Sequence, residues 1–354
     1  PGIVAGFSRL GLAGVDAVDP SNDTAARGSP FNATLDIAPA VNPDVAAIAV
    51  NRAAGITRAI VSPDAGGAIF GGQGAIIDTG ADSDPVTRAK AFQFVEFGEA
   101  GAQRAGGSRP ALVAAFRNAL TEAREAQQGI YRDDALLKRA DAQALGAVLS
   151  GQQRLFIHVE SANDILAVLA LKREFPTVNM VLVGATEGWR VARQIAAAKL
   201  PVIASALTDL PGSFEQIAAT QSNVGRMKAA GVDVAIGMID DNDTRQAQQT
   251  MQYAGNLVAL TKIPGATGLN WNDAFAAITS KPAQMVGAGG DIGSLAAGRR
   301  GDVVIWDGDP LEVTSGVEAV WIDGVRQPLT TRQTRLRDRY ATPGEASLPK
   351  AYDR

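Results

Sequence analysis

The sequence of 354 residues has no cysteine and a single histidine, His158. Without cysteine it can form no disulfide, thiolate metal site or cysteine nucleophile. With one histidine, a zinc site built on two or three imidazoles cannot be assembled from this sequence. His158 could still act alone as an acid or base, or serve a serine–histidine type of site.

Long apolar runs and basic clusters are also missing. No apolar run reaches the roughly 18 residues that would span a bilayer, so we expect no membrane span. The charge balance is 33 basic against 37 acidic residues, and no basic cluster is interleaved with aromatic residues, so we expect no nucleic-acid partner. Because the chain opens at Pro1 without a leader, we expect a processed product in the periplasm or outside the cell, with a cytoplasmic location as the alternative.

Short apolar runs alternate with helical periodicity over residues 1–288. This alternation predicts an α/β protein with a (β/α)8 TIM-like barrel. The candidate strands are 2–7, 56–61, 75–77, 92–97, 155–159, 178–183, 201–205 and 232–236. The candidate outer helices are 110–127, 133–149, 162–174, 187–198, 214–230 and 245–261.

The pattern of residue types along the sequence changes after residue 288. Gly-rich turns and short alternating strands over 289–329 predict a small, incomplete C-terminal β-sandwich layer beside the barrel. Residues 330–354 mix Arg, Asp, Pro and Gly with little periodicity, so we expect an extended arm or a partly disordered tail. The sequence therefore predicts three consecutive parts, 1–288, 289–329 and 330–354.

Several motifs carry a family resemblance: PGIVAGFSRLGL, GITRAIVSP, IHVESANDILAVLAL, AITSKPAQMVG, DIGSLAAGRRGDVVIWDGDPLE and VWIDG. Together they resemble the amidohydrolase superfamily, imidazolonepropionase-like branch, over about residues 1–329. The resemblance implies a hydrolase of C–N bonds in amides or cyclic amides. It also implies a β-sandwich with strands from before and after the barrel, so we expect the N-terminal sandwich strands on another polypeptide.

The metal ligands implied by the resemblance are an H-x-H pair on strand one, a lysine or glutamate on strand four, histidines on strands five and six, and an aspartate on strand eight. Phe7 and Arg9 stand at the strand-one pair and Gly184 stands at the strand-six histidine, and none of them can bind zinc. Strand four offers Glu96 and Glu99 without a lysine.

Only the positions on strands five and eight keep their residue type. They are His158 and either Asp240 or Asp241. The resemblance therefore implies a degenerate metal site, and we expect fewer than one tightly bound transition metal per chain.

Each candidate residue has more than one interpretation. His158 is a hydrogen-bonded remnant, a metal ligand or a general acid or base. The acidic run from Asp240 to Asp243, which includes Asp241, either binds a hard cation or caps the helix that starts near Thr244. Arg9 is either exposed or replaces the metal as an internal cation, paired with Asp240 or, less favourably, with Glu96.

Two functions remain open. The first is a pseudoenzyme subunit that binds an active relative or a small-molecule ligand, as a homo-oligomer or with a related amidohydrolase-like chain. The alternative is an active hydrolase with one weakly bound divalent metal, such as zinc, held by His158 and Asp240 and perhaps Glu96. In either case we expect His158 and Asp240 to be the catalytic candidates, with Arg9, Glu96 and Asp241 at the mouth of the barrel.

Overall fold

The computed structural model describes residues 1–15, 18–239 and 246–341. Eight strands form one sheet in sequence order and surround a common core. They are β1 Ile3–Ser8, β2 Ile56–Val61, β3 Phe70–Asp78, β4 Val86–Glu96, β5 Arg154–Val159, β6 Met180–Gly184, β7 Val202–Ala204 and β8 Val234–Ile236. Each strand overlaps a run that the sequence predicted, so the barrel fold is confirmed.

The direction of β3 departs from a uniform parallel barrel. It pairs antiparallel with both β2 and β4, whereas the other neighbouring strands pair in parallel. The connections at 62–69 and 79–85 are shorter than the dozen or so residues that a parallel crossover needs. The sheet closes where the Met238 amide donates to the Phe7 carbonyl at 3.0 Å.

Side chains fill the barrel interior. Successive residues of a strand point to opposite faces, so one set of apolar residues faces the barrel axis and another faces the helices. The rings of Phe92 and Phe156 stack inside the barrel with centroids 4.1 Å apart. This apolar filling leaves polar chemistry to the ends of the strands.

Helices surround the barrel. They are α1 Ala46–Ala53, α2 Gly98–Arg104, α3 Arg109–Gln127, α4 Arg139–Ala144, α5 Gly146–Leu149, α6 Ala162–Glu174, α7 Ala192–Ala197, α8 Asn223–Ala229, α9 Thr250–Ala259, α10 Trp271–Ala276 and α11 Ser280–Met285. The hydroxyl of Ser161 caps α6 by accepting from the Asp164 amide.

Some predicted helices are shorter than expected. The stretch 133–149 contains two short helices, α4 and α5, and the stretch 214–230 contains a single 3-10 turn at Phe214–Gln216 and becomes α-helical, as α8, only from Asn223. The Ala218 amide donates to the Glu187 carboxylate at 2.9 Å. This bond satisfies the amide outside a helix, which explains why the apolar periodicity overestimated the helix length.

A small antiparallel sheet packs beside the barrel. Its strands are β9 Val303–Trp306, β10 Val317–Ile322 and β11 Val325–Arg326. The fully buried guanidinium of Arg58 on β2 reaches Asp302 through two bonds of 2.8 Å and Asp323 at 2.7 Å, which ties this sheet to the barrel. The division of the chain at residues 288 and 329 stays a prediction.

The expected extended arm was wrong for residues 332–341, which form helix α12 Arg332–Ala341. The hydroxyl of Thr331 accepts from the Thr334 amide just before this helix and helps to start it. The remaining residues of the predicted tail, 342–354, lie outside the described residues. Throughout the described ranges, no helix is long and apolar enough to cross a membrane.

Candidate functional site

A cavity of about 280 Å³ opens at the ends of the first, second, fourth and fifth strands. In a barrel of this type the carboxyl ends of the parallel strands converge on one face, the mouth, where enzymes of this fold place their chemistry. Its polar lining consists of Arg9, Asp64, Glu96, Arg104, His158, Glu160, Glu215 and Gln216. The cavity therefore brings together three basic and four acidic side chains.

His158 lies between two carboxylates. Its Nδ1 is 2.7 Å from Oε1 of Glu96, and its Nε2 is 3.0 Å from Oε1 of Glu160. Glu96 ends β4 and pairs in register with His158 on β5, and both glutamates are buried. Both ring nitrogens therefore lie within hydrogen-bond distance of a carboxylate oxygen, an arrangement that an imidazolium satisfies by donating from both nitrogens.

The charge of this imidazolium follows from its surroundings. Burial opposes the charge on His158, but the negative charge of Glu96 and the hydrogen bonds to Glu160 and Glu96 outweigh it and raise the pKa of His158 well above its usual 6.5. The ring is 24% exposed, so it borders the cavity. The raised pKa favours the protonated form of His158 at neutral pH.

Glu160 takes the space that a side chain at position 184 on β6 would need. A Cβ added to Gly184 would lie 2.3 Å from Oε1 and 2.7 Å from Cδ of Glu160. Gly184 also has a φ of +90°, a backbone conformation that residues other than glycine rarely adopt. The second oxygen of Glu160 accepts from the Thr186 amide at 2.9 Å. Glycine at position 184 thus allows Glu160 to reach His158.

Arg9 lies at the mouth, with 11% of its side chain exposed, so the interpretation as a surface residue was wrong. Its guanidinium is 3.4 Å from the carboxylate of Asp64, a partner that the sequence did not suggest. Asp64 follows the end of β2, next to β1, and this explains the contact. The proposed pairing with Asp240 lies outside the described residues, and Glu96, the other suggested partner, contacts His158.

Glu215 enters the mouth from the loop between β7 and α8. Its carboxylate accepts from the Glu99 amide at 2.8 Å, at the start of α2. Burial raises the pKa of Glu215, with a further contribution from the nearby charge of Glu160. Glu99 therefore helps to hold Glu215 through its backbone.

A metal site requires several donor atoms that converge on one point. Within residues 1–15, 18–239 and 246–341, no group of three or more His, Asp and Glu side chains is arranged to hold an ion. The predicted candidates Arg9, Glu96 and His158 do meet at one mouth. Asp240 and Asp241 lie outside the described residues, so their roles stay predictions.

The sequence missed three carboxylates of this mouth: Asp64, Glu160 and Glu215. Glu160 was detectable, because it follows His158 by two residues and side chains two apart in an extended chain share a face. Asp64 lies in the connection after β2 and Glu215 in a single 3-10 turn between β7 and α8, and in both places spacing along the chain does not indicate what the side chain approaches.

Comparisons with known proteins agree with this architecture. A family model described as the amidohydrolase family matches residues 263–326. The chain is 27% identical over 198 residues to amidohydrolase tasK of Hapsidospora irregularis, which covers 55% of this chain and 19% of that protein. It is 34% identical over 125 residues to an imidazolonepropionase of Maricaulis maris, covering 35% of this chain and 28% of that protein.

The chain thus spans less than a third of the length of these two curated relatives. An amidohydrolase structure from Thermotoga maritima superposes with a TM-score of 0.80 over 92% of this chain and 86% of that one. At 23% identity this likeness concerns the fold. The chain is therefore similar to amidohydrolases in residues 263–326 and to the two curated relatives over part of its length, and it shares its barrel fold with the Thermotoga maritima structure.

Proposed function

We propose that this chain is a pseudoenzyme of the amidohydrolase fold, which lacks the metal-dependent hydrolysis of its family and serves as a subunit whose mouth binds a small polar ligand. The observation that carries the proposal is the contact of both His158 ring nitrogens with carboxylates, at 2.7 Å and 3.0 Å. The resemblance of the sequence to the amidohydrolase superfamily implies a metal such as zinc. The residues at this mouth do not fit such an ion.

The lack of fit follows from the donor atoms. A histidine that binds a metal uses one ring nitrogen as ligand and donates from the other to a carboxylate or carbonyl. In His158 both ring nitrogens already contact carboxylates, so neither is available as a metal ligand. Phe7 and Gly184 bring no donor atom, and the guanidinium of Arg9 has no lone pair to offer. Four of the positions at which the resemblance implies a metal ligand thus supply none in this arrangement. They are Phe7, Arg9, His158 and Gly184.

Fixed cations offset the carboxylates in place of a metal. The imidazolium of His158 faces Glu96 and Glu160, and the guanidinium of Arg9 faces Asp64. A buried carboxylate is stable when it is paired and hydrogen-bonded. The mouth is therefore a preorganised set of charges, suited to hold a polar ligand by hydrogen bonds rather than to activate water on a metal.

The alternative is a single-metal hydrolase in which His158 and Asp240 hold the ion. It requires His158 to lose a proton and to release Glu96 or Glu160. The raised pKa of His158, caused by Glu96 and Glu160 against the opposing effect of burial, makes this loss unfavourable at neutral pH.

Metal analysis separates the two functions. The purified chain, dialysed against metal-free buffer and then against one equivalent of zinc, should retain fewer than 0.1 equivalents, about a tenth of a site. His158→Gln should retain equally little, because His158 holds no ion in the parent protein. Stoichiometric zinc in the parent that is lost in His158→Gln would establish the hydrolase instead.

The subunit role needs a partner. β9 and β11 are the outer strands of the small sheet, and no further strand pairs with either of them in the described part of the chain. Unpaired strand edges favour pairing with another chain. We expect a homo-oligomer or a complex with a related amidohydrolase-like chain, and a periplasmic or secreted location stays part of this proposal. A monomer by light scattering over the micromolar range, with no complex formed on adding a related chain, would contradict the subunit role.

A further inference from the structure

A second cavity lies at the end of the barrel opposite to the mouth. It has a volume of about 420 Å³ and is lined by the residues that begin β5 to β8 and by α11. Arg154 and His158 are the first and fifth residues of β5, so their Cα atoms are about 13 Å apart at the rise of a strand. We call this space the basal cavity, and its polar lining includes Arg154, Lys172, Asn179, Lys199, Asp233 and Lys281.

The basal cavity has an excess of positive charge. Asp233 pairs with Lys281 at 2.7 Å. The ammonium of Lys172 donates to the carbonyls of Pro176 and Val178, which carry no net charge. Among the described residues, the structure gives neither Arg154 nor Lys199 a carboxylate partner. Three cations therefore face this cavity uncompensated, in a protein with a formal net charge of −4.

Arg154 is the most unusual of these cations. It is partly buried, and burial together with the neighbouring guanidinium of Arg88 lowers its pKa. The backbone of Gly287 packs against it, since a Cβ there would lie 3.2 Å from Nε of Arg154. A partly desolvated guanidinium beside a like charge is unfavourable unless an anion binds to it. The backbone of Gly287 holds the Arg154 guanidinium in position for such an anion.

Lys199 occupies a position that favours glycine. It follows α7 with a φ of +54°, and its amide donates to the Ala196 carbonyl while the Leu200 amide donates to the Ile195 carbonyl. This is the hydrogen-bond pattern of a helix end that usually carries glycine. A lysine there is strained, and such strain is common where a side chain is needed for a function.

We infer that the basal cavity is a binding site for the phosphoryl group of a small molecule, held by Arg154 and Lys199. The planar guanidinium can donate two parallel hydrogen bonds to phosphoryl oxygens, and the ammonium adds a point charge. The volume exceeds that of a phosphoryl group alone and matches the range of small-molecule sites. This site is separate from the mouth, and the inference does not rest on the function proposed for it.

Titration calorimetry of the full chain with inorganic pyrophosphate tests the inference, with succinate as the carboxylate control at the same ionic strength. We expect pyrophosphate to bind with a millimolar or lower Kd, and succinate to bind at least about 10-fold more weakly. Arg154→Gln should weaken pyrophosphate binding about 10-fold or more, since a charged hydrogen bond is lost. Arg193→Gln, on the exposed side of α7 and outside the cavity, should change it less than about twofold.

Lys199→Gly gives a second test that does not depend on the folding of Arg154→Gln. Glycine relieves the strained φ, so the melting temperature should rise while pyrophosphate affinity falls. The inference is overturned if pyrophosphate gives no heat at about 10 mM, if Arg193→Gln weakens binding as much as Arg154→Gln, or if Lys199→Gly leaves the affinity unchanged. Succinate binding as tightly as pyrophosphate would overturn the assignment of a phosphoryl ligand.

Discussion

Replacement of Gly184 by alanine perturbs the charged mouth through a single methyl group. The new Cβ would lie 2.3 Å from Oε1, 2.7 Å from Cδ and 3.0 Å from Oε2 of Glu160, so the carboxylate must move. Its movement breaks the bonds to His158 and to the Thr186 amide. The φ of +90° adds backbone strain.

The magnitude follows from these two effects. Backbone strain at a non-glycine residue costs about 1–3 kcal/mol, and loss of a charged hydrogen bond costs about 1.5–3 kcal/mol. We expect Gly184→Ala to lower the free energy of unfolding by about 3–5 kcal/mol. We also expect the pKa of His158 to fall towards its usual value, because one of its two carboxylates has withdrawn.

Gly231→Ala is the matched control. Gly231 has the same φ of +90°, but a Cβ there would meet nothing within 4 Å. Urea unfolding should therefore show the strain alone, about 1–3 kcal/mol, with no change in the pKa of His158. Equal losses of stability in the two variants, or an unchanged pKa of His158 in Gly184→Ala, would refute the conclusion that Glu160 reaches His158 through the space left free at Gly184.

Further predictions concern the ion pairs. Arg58→Met should lower the free energy of unfolding by about 3–5 kcal/mol in urea titrations, because it leaves Asp302 buried without its partner; a loss below about 1 kcal/mol would contradict this. Burial raises the pKa of Asp78 from 3.8 to about 6, so the stability that this carboxyl contributes is present below pH 4 and is lost as the pH rises through about 6. Asp78→Asn should accordingly be more stable than the parent by up to about 3 kcal/mol above pH 7, and this gain should vanish below pH 4 in melting curves across that range. A double-mutant cycle of Arg9→Ala with Asp64→Asn should give a coupling of about 1 kcal/mol, whereas additive losses would show that the 3.4 Å contact carries no energy.

The order of the strands could be predicted because buried strands are short apolar runs. The direction of β3 could not be read from its apolar residues, since they form a strand equally well in either direction. The relevant signal was the length of the connections at 62–69 and 79–85, too short for a crossover. The predicted helix lengths were wrong where a tertiary contact took the place of a helical hydrogen bond, as the Glu187 carboxylate does for the Ala218 amide.

The site was predictable only where residues lie at the end of a strand or directly after it. Glu96, His158 and Arg9 come at strand ends, and the topology of a barrel brings such ends together. The partners of these residues could not be predicted, because hydrogen bonds such as that of Glu160 depend on space that becomes free elsewhere, here at Gly184. Glu215 arrives from a long connection, and its position is set by packing rather than by local pattern.

The protonation state of His158 tests the central claim most directly, and as the single histidine of the sequence it gives an unambiguous NMR signal. Both ring nitrogens of a ¹⁵N-labelled sample should show the imidazolium form at pH 7.5, because Glu96 and Glu160 raise the pKa of His158 against the effect of burial. The stability from this raised pKa is fully present below about pH 6.5 and is lost as the pH rises through the folded-state pKa. One equivalent of zinc should leave the spectrum unchanged. A neutral ring at pH 7.5 that shifts stoichiometrically with zinc would contradict the account.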